Sequence, residues 1–372
     1  MKEMNISLIS EPVSPEAIWI TDIVDGAVRE SVRKSHNLTA VTDGKIYPEL
    51  CPYGESVLVV GYSKGWIADT VSEILNAGAE PIVVSLSCGI HGVSSVCFDV
   101  ETAYRELVHY TSSHCEGRIA LFGFHRDTVG DLAKLTGYTA GMREVGRKFT
   151  SEDIYPRGLA SECAGRLLSN ISSYGAVICT NDLLAIYLIM YLAEHGVKVP
   201  GDIIVTGFGN WELTKRFSPG ITRMYTDLCE LGAQAVRLHQ YMKSSERGGM
   251  THAAHSSSVL KCVLQVSDST RNELPTDLPP QNLSHGASNA PLYSDDSDIM
   301  EVLRSELLLR QSDEIDRAIL HGLTVGMKAI DLASHACVSE STVKYRISKM
   351  LRISCLAGKI ELAAFASKYC SF

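Results

Sequence analysis

Ile178-Cys-Thr-Asn-Asp-Leu-Leu-Ala185, running on to Gly196-Val-Lys-Val-Pro-Gly-Asp-Ile-Ile-Val-Thr-Gly-Phe208, holds one full unit of the pattern that governs most of this chain. The apolar run Ala176–Cys179 has the length and β-branched content of a buried strand. Asn181 and Asp182 follow, and both residue types start helices by accepting backbone N–H bonds. Leu183–His195 then reads as a helix and Ile203–Thr206 as a second strand. A strand, a helix and a strand of this kind make a βαβ unit, with two parallel strands joined by a crossover.

The same alternation extends outward in both directions. Further strands are expected at Asn5–Ile9, Leu38–Thr42, Val57–Val60, Pro81–Ser85, Arg118–Phe122 and Val259–Val266. The expected helices between them are Trp19–Ser35, Ile67–Ala77, Val100–Ser112, Leu132–Val145, Leu159–Ser172 and Leu228–Lys243. Alternating strands and helices imply an α/β fold with parallel sheets covered on both faces. The segment is too long for one compact open sheet, so two sheets in two lobes are expected. Ligands of such sheets sit outside the carboxyl ends of the strands, which in a two-lobed protein becomes a cleft.

Several motifs in fixed order give this part a family resemblance. The segment quoted above resembles the sensor domain of the lactose/galactose-repressor (LacI/GalR) family, itself a relative of periplasmic sugar-binding proteins. Gly137-Tyr138 after Lys134, Ser218-Pro-Gly-Ile-Thr222 before Gly232-Ala-Gln-Ala-Val236, and Leu264-Gln-Val-Ser-Asp-Ser-Thr270 match other family pieces. The resemblance covers about residues 4–272. It implies a periplasmic-binding-protein-like sensor of two lobes with three crossovers, an interlobe effector site and a homodimer. On this mapping the effector-binding candidates are Trp19, Phe124, Asp127, Lys134, Asp182 and Asn210. Each has a plainer reading beside it. Asp182 can simply cap the helix at Leu183, Lys134 can be a surface helix residue, and Trp19, Phe124 and Trp211 can be lobe packing. The loops Glu11–Trp19 and Ser87-Cys88 also open toward the expected cleft, and Asp99 is expected to be a helix cap.

Two departures bear on the effector. Lys134 stands where the family has an arginine, and a lysine cannot make a bidentate fork. Gly207-Phe-Gly-Asn210 stands where the family has Gly-Phe-Asp-Asp, so a carboxylate is lost at Gly209. A sugar-like effector is therefore joined by an anionic metabolite meeting a mobile Lys134. A third possibility is a sensor that has lost its ligand and regulates constitutively or through a protein partner.

The family usually begins with its own helix-turn-helix, whereas this sequence opens on the first sensor strand, so DNA-binding work is expected at the other end. Residues 273–297 are rich in Pro, Ser, Asn and Asp and read as a flexible linker. Residues 298–372 are expected to form a small all-α domain. Met300–Arg310 is an amphipathic helix that pairs across a dimer or packs on its own domain. In Leu332-Ala-Ser-His-Ala-Cys-Val-Ser-Glu-Ser-Thr-Val-Lys-Tyr-Arg-Ile347, Leu332, Ala333 and Ala336 line one helix face, and Val338 fills a turn. Ser339 caps a second helix with Val343, Ile347 and Leu351 inward. Two such helices make a helix-turn-helix, or more plainly an enzyme's helical hairpin.

Thr342–Lys368 holds six basic residues against the single acid Glu361, in a chain of net charge −9. Such a local reversal of sign fits phosphate contacts. Ser339 to Leu351, followed by Gly358-Lys-Ile-Glu-Leu-Ala-Ala-Phe-Ala366, resembles the LuxR-type (GerE-like) helix-turn-helix, with roughly one extra helical turn between Gly322-Leu323 and Leu332-Ala333. Double-stranded DNA is then the expected partner. Lys344, Tyr345 and Lys349 are expected at base edges, with Ser341, Thr342, Arg346 and Arg352 nearer the phosphates.

Composition bounds the alternatives. With 372 residues, 45% hydrophobic and 21% charged, the chain is an ordinary globular one of two or three domains. It has no apolar run of membrane-spanning length and no signal peptide, so a cytoplasmic protein without a membrane partner is expected. Eleven cysteines without a Cys-x-x-Cys pair read as buried thiols rather than a disulfide framework or metal site. No P-loop, Gly-x-Ser-x-Gly or His-Glu-x-x-His is present, so neither enzyme activity nor a cofactor is expected.

Overall fold

The computed structural model describes residues 3–12, 18–87, 92–247, 255–270 and 296–369. In chain order the first half runs β1 (Asn5–Ser10), α1 (Ile20–Arg33), β2 (Asn37–Val41), β3 (Ser56–Val60), α2 (Lys64–Asn76), β4 (Glu80–Val84), β5 (Ser94–Phe98), α3 (Val100–Ser112), β6 (Arg118–Phe124) and α4 (Val129–Glu144). It continues with β7 (Ile154–Pro156), α5 (Ala160–Leu168), β8 (Tyr174–Cys179), α6 (Asp182–Glu194), β9 (Ile204–Gly209), β10 (Thr222–Tyr225), α7 (Leu228–Arg247), β11 (Ser257–Leu260) and β12 (Val263–Gln265). Five helices close the chain: α8 (Ser297–Arg310), α9 (Glu314–Thr324), α10 (Ala329–His335), α11 (Glu340–Ser354) and α12 (Lys359–Tyr369).

The strands form two six-stranded sheets, one per lobe. The first has the order β11-β5-β4-β3-β1-β2, parallel throughout. The second has the order β12-β10-β9-β8-β6-β7, with β6, β8 and β9 parallel. The βαβ unit read from Ile178–Phe208 is thus the centre of the second sheet. Its strands are buried on both faces, with α6 packed against them, which is why they are continuous apolar runs rather than alternating ones. In the first lobe α1 and α7 pack closely. A Cβ on Gly26 would collide with the Cys229 backbone, and one on Gly232 with that of Ile23, so each helix needs a glycine where it meets the other.

Three expectations are corrected. The single strand Val259–Val266 is two, β11 and β12, and they belong to different sheets. The break falls at Lys261-Cys262, between the apolar pairs Val259-Leu260 and Val263-Leu264, and sequence pattern alone does not reveal it. β5, β7 and β10 were absent from the expected strands. β5 was hidden because Val96-Cys97-Phe98 is short and runs straight into the Asp99 cap of α3, whose side chain accepts the Thr102 N–H at 3.1 Å. Among the cysteines, Cys97 is disulfide-bonded. Pairing depends on Cα separation, which spacing in sequence does not report. Eight others are free thiols, of which Cys51, Cys115, Cys163 and Cys179 are buried as expected while Cys337 and Cys355 are exposed.

The chain divides into two compact units. The second contains residues 114–123 and 155–223, with the sheet centred on β8 and β9, and with them the described residues from 265 onward. Helix α8 packs on α11 and α12, one of the two placements the sequence offered. It also packs on α5, α6 and the 3₁₀ turn Leu213–Lys215, a contact with its own lobe that sequence did not foresee. The expected linker 273–297 lies outside the described residues up to 295. Asp296 already caps α8 and also accepts the Ala160 N–H at the start of α5.

Candidate functional site

In the second lobe the carboxyl ends of β8 and β9 bring three groups together. Asn181, not Asp182, caps α6, accepting the Leu184 N–H at 2.9 Å. Asp182 is the first residue inside the helix, fully buried, with the Arg223 guanidinium 3.7 Å from its Oδ2. Its carboxylate lies against the backbone of β9. A Cβ on Gly207 would strike Asp182 Oδ1, and one on Gly209 would meet Asp182 Oδ2 at 3.4 Å and the Trp211 ring at 3.2 Å. Gly209 has φ +132°, a conformation open essentially to glycine. The glycine in place of the family's aspartate is therefore fitted to its position: an acid there would be strained and would face a second carboxylate. Asn210 is half-buried beside it and Trp211 is buried.

Arg223, on β10, was not singled out from sequence. Besides approaching Asp182, it donates from Nη1 to Thr214 Oγ1, and Thr214 in turn donates to the Trp211 carbonyl at 2.6 Å. The signal was a basic residue in the middle of a buried apolar segment, Ile221–Tyr225, an environment that normally supplies a partner charge.

In the first lobe Lys134 is not mobile. It is 4% exposed, and its Nζ lies 2.7 Å from Asp131 Oδ1, one helical turn earlier in α4. Asp131 Oδ2 also accepts the His125 N–H at 3.0 Å. The Lys134 charge is thus matched within the chain, and the neighbouring Cys262 thiol is pushed by burial up to about 12. Phe124 is half-buried at the end of β6 and Asp127 is exposed. Thr128, just beyond, caps α4. Trp19 precedes α1 and meets the Tyr62 ring edge-on at 6.3 Å, the packing role rather than an open face. Of the loops expected to open toward ligand, residues 13–17 and 88–91 lie outside the described residues.

The helical segment builds the second candidate site. Ser339 caps α11, accepting the Thr342 N–H at 3.2 Å. Val343 and Ile347 are buried as expected, and the third inward residue is Met350 (0% exposed) rather than half-buried Leu351. The helix turns by slightly more than a quarter-circle per residue, so i+3 from Ile347 meets the core here better than i+4. Ser341, Lys344, Tyr345 and Arg352 are exposed and Thr342 is half-buried. Arg346 and Lys349 are engaged at home. Arg346 Nη1 is 2.8 Å from both Asp313 and Asp316, and Lys349 Nζ is 3.2 Å from Asp316. These acids hold the first turn of α9, where Asp313 is the cap, and the two ion partners keep the Arg346 guanidinium even more firmly protonated than usual. The outward cations of α11 are thus Lys344 and Arg352.

Comparison with known proteins follows the first of these sites. Residues 109–264 match the model of the periplasmic binding protein-like domain. The chain is thus similar, over that stretch, to a periplasmic binding protein-like domain. It is 31% identical over 127 residues to the HTH-type transcriptional repressor PurR of Pasteurella multocida, a match covering 31% of this chain and 38% of that repressor. With the PurR repressor of Vibrio atlanticus it shares 22% identity over 237 residues, covering 59% of this chain and 70% of the relative. Among solved structures, the CelR–cellobiose complex superposes with a TM-score of 0.59 at 18% identity, over 72% of this chain and 86% of that one. The Lac repressor dimer bound to operator and the anti-inducer ONPF gives 0.59 at 15%, over 72% and 94%. At such identities the structural likeness shows the fold. The two PurR relatives are transcriptional repressors. No helix among the described residues is long and apolar enough to cross a membrane.

Proposed function

We propose that this chain is a ligand-responsive transcription regulator, in which the periplasmic-binding-protein-like domain senses a small molecule and residues 298–372 form a helix-turn-helix domain of LuxR type that binds double-stranded DNA. The observation that carries this reading is α11. It is capped by Ser339, seated on its own domain through Val343, Ile347 and Met350, and leaves Lys344, Tyr345 and Arg352 facing out of an otherwise acidic chain. A helix of this size with one free basic face fits the major groove. Action as a homodimer, two heads meeting two half-sites, completes the proposal.

The effector candidates are Asp182, Asn210 and Trp211 at the strand ends of the second lobe and, taken separately, Lys134, Phe124 and Asp127 in the first. An anionic metabolite drew its support from a mobile Lys134. That residue is buried on Asp131, and Asp182 faces Arg223, so both pairs are matched in charge. A neutral hydroxyl-bearing molecule is the better fit.

Selection of bound duplexes from a random DNA pool, with and without a panel of neutral sugars and polyols, tests the reading. Enriched sites with two-fold symmetry, and a change in occupancy with one neutral compound, are expected. A ligand that binds must also raise the melting temperature of the full chain. Failure to enrich any sequence, with a correctly folded chain, rules out the DNA-binding assignment.

A further inference from the structure

Helix α8 joins the sensor lobe to the helical segment, and its contact with the lobe is specific. Glu306, in the middle of α8, is fully buried. Its carboxylate accepts the Glu212 N–H at 2.9 Å and the Leu213 N–H at 2.6 Å, the first two donors of the 3₁₀ turn Leu213–Lys215. Arg310, one turn on, donates to Glu306 at 2.6 Å. The turn begins three residues after Asn210, so the strand-end site and this docking point share one short piece of backbone.

On the sensor side the turn is tied to Asp182. Arg223 spans from Asp182 to Thr214 Oγ1, and Thr214 holds the Trp211 carbonyl. On the other side, Glu212 meets Arg317 of α9 at 3.3 Å, and the first turn of α9 holds Arg346 and Lys349 of α11 through Asp313 and Asp316. We infer that Glu306 is the positioning residue that couples Asp182 and the Trp211–Lys215 turn to the DNA-facing helix α11. A buried carboxylate bound to two backbone donors and one arginine tolerates little displacement, because any slip leaves a buried charge or N–H without its partner. A shift of the turn must therefore carry α8 with it or break the contact. Burial also raises the Glu306 carboxyl above the usual range, so a broken contact leaves a group ready to take up a proton.

This inference rests on the proposed function, and its test separates the two. Wild type, Asp182→Asn, Glu306→Gln and the double variant are made in the full chain and assayed on a duplex selected from the random pool. Gln keeps the shape and one acceptor, so the chain is expected to fold, with thermal melts as the check. If Glu306 transmits the state of Asp182, Asp182→Asn should change the DNA Kd by about five-fold or more when Glu306 is intact and leave it nearly unchanged when combined with Glu306→Gln. A purely structural Glu306 predicts the same fold-change in both, which overturns the inference. Amide exchange supplies a readout that needs no DNA. Asp182→Asn should speed exchange in both 211–215 and 340–354, and Glu306→Gln should abolish the second response alone. Retention of that response overturns the coupling, even where the duplex assay has already ruled out DNA binding.

Discussion

Lys344 and Arg346 are two residues apart on one helix, yet they have different work. Lys344 is exposed with its charge directed outward, so Lys344→Ala is expected to cost about 1–3 kcal/mol of binding at the preferred DNA site while leaving the melting temperature unchanged. Arg346 instead neutralises Asp316, which is fully buried. Arg346→Ala should lower the stability of the helical segment by about 2–4 kcal/mol, and its effect on DNA should follow from that loss. Equal stability of the two variants in denaturant titrations would show that the Asp313–Asp316 clasp does not hold in solution. Gly209 offers a second contrast. Gly209→Ala strains a backbone at φ +132°, costing about 1–3 kcal/mol, and Gly209→Asp adds a like charge near Asp182. The extra destabilisation of Asp over Ala should be present at pH 7 and shrink as the pH falls below the carboxylate range. A gap between the two that is independent of pH would remove the charge from the explanation.

At the level of elements, the strand–helix alternation was legible because fully buried parallel strands and their covering helices write distinct runs into the sequence. The central unit Ala176–Thr206 was read to within two residues, except that its second strand runs on three residues further, to Gly209. What failed were elements whose signal is tertiary. β11 and β12 look like one strand until the chain is seen to change sheets, and β10 carries Arg223, which reads as polar until its partners are known. Helix α11 was legible in its cap and first two core residues but not in the third. That leaves a direct test: Met350→Ala should destabilise the helical segment by about 2–5 kcal/mol, and Leu351→Ala by less than half as much. A reversed order in thermal melts would restore the four-residue register. Asp182 and Asn210, read from sequence as effector candidates, lie at the ends of β8 and β9, whereas the neutralisation of Lys134 by Asp131 was not read, although the two lie one helical turn apart. Helix α7 carries a charge effect of its own. Burial, reinforced by Lys243, lowers His239 from 6.5 to about 4. The folded first lobe therefore excludes a proton that the unfolded chain accepts. Its stability contribution is whole above pH 6.5 and is lost as the pH falls toward 4, by up to about 3 kcal/mol. His239→Leu should flatten that part of the stability–pH curve, and an unchanged curve would place the acid sensitivity elsewhere.

For the molecule as a whole, the decisive fact is that the helical segment does not stand apart from the sensor. The sequence separates them by a polar stretch at 273–297, which predicts two independent pieces after a cut. The structure supplies opposing forces. Asp296 caps α8 while accepting the Ala160 N–H, Tyr187 of α6 donates to Asp298 at 3.4 Å, and Glu306 holds the 213–215 turn. Ile299, Val302, Leu303, Leu308 and Leu309 of α8 are buried, at about 1.5–3 kcal/mol for each side chain removed from water. Part of that burial lies against α11 and α12 and would survive separation. The rest, with the three polar contacts, is lost if the pieces part. A chain cleaved by an engineered protease site between residues 278 and 289 is therefore expected to run as one species in size-exclusion chromatography at micromolar concentration. It should separate only when denaturant breaks the α8–lobe contact, and Glu306→Ala should lower the denaturant concentration required, because two N–H groups of the turn would lose their acceptor. Two freely separating fragments from the unmodified, folded chain would mean that residues 298–372 dock on the lobe too weakly to be governed by it. The domain would then answer to the sensor only through the tether.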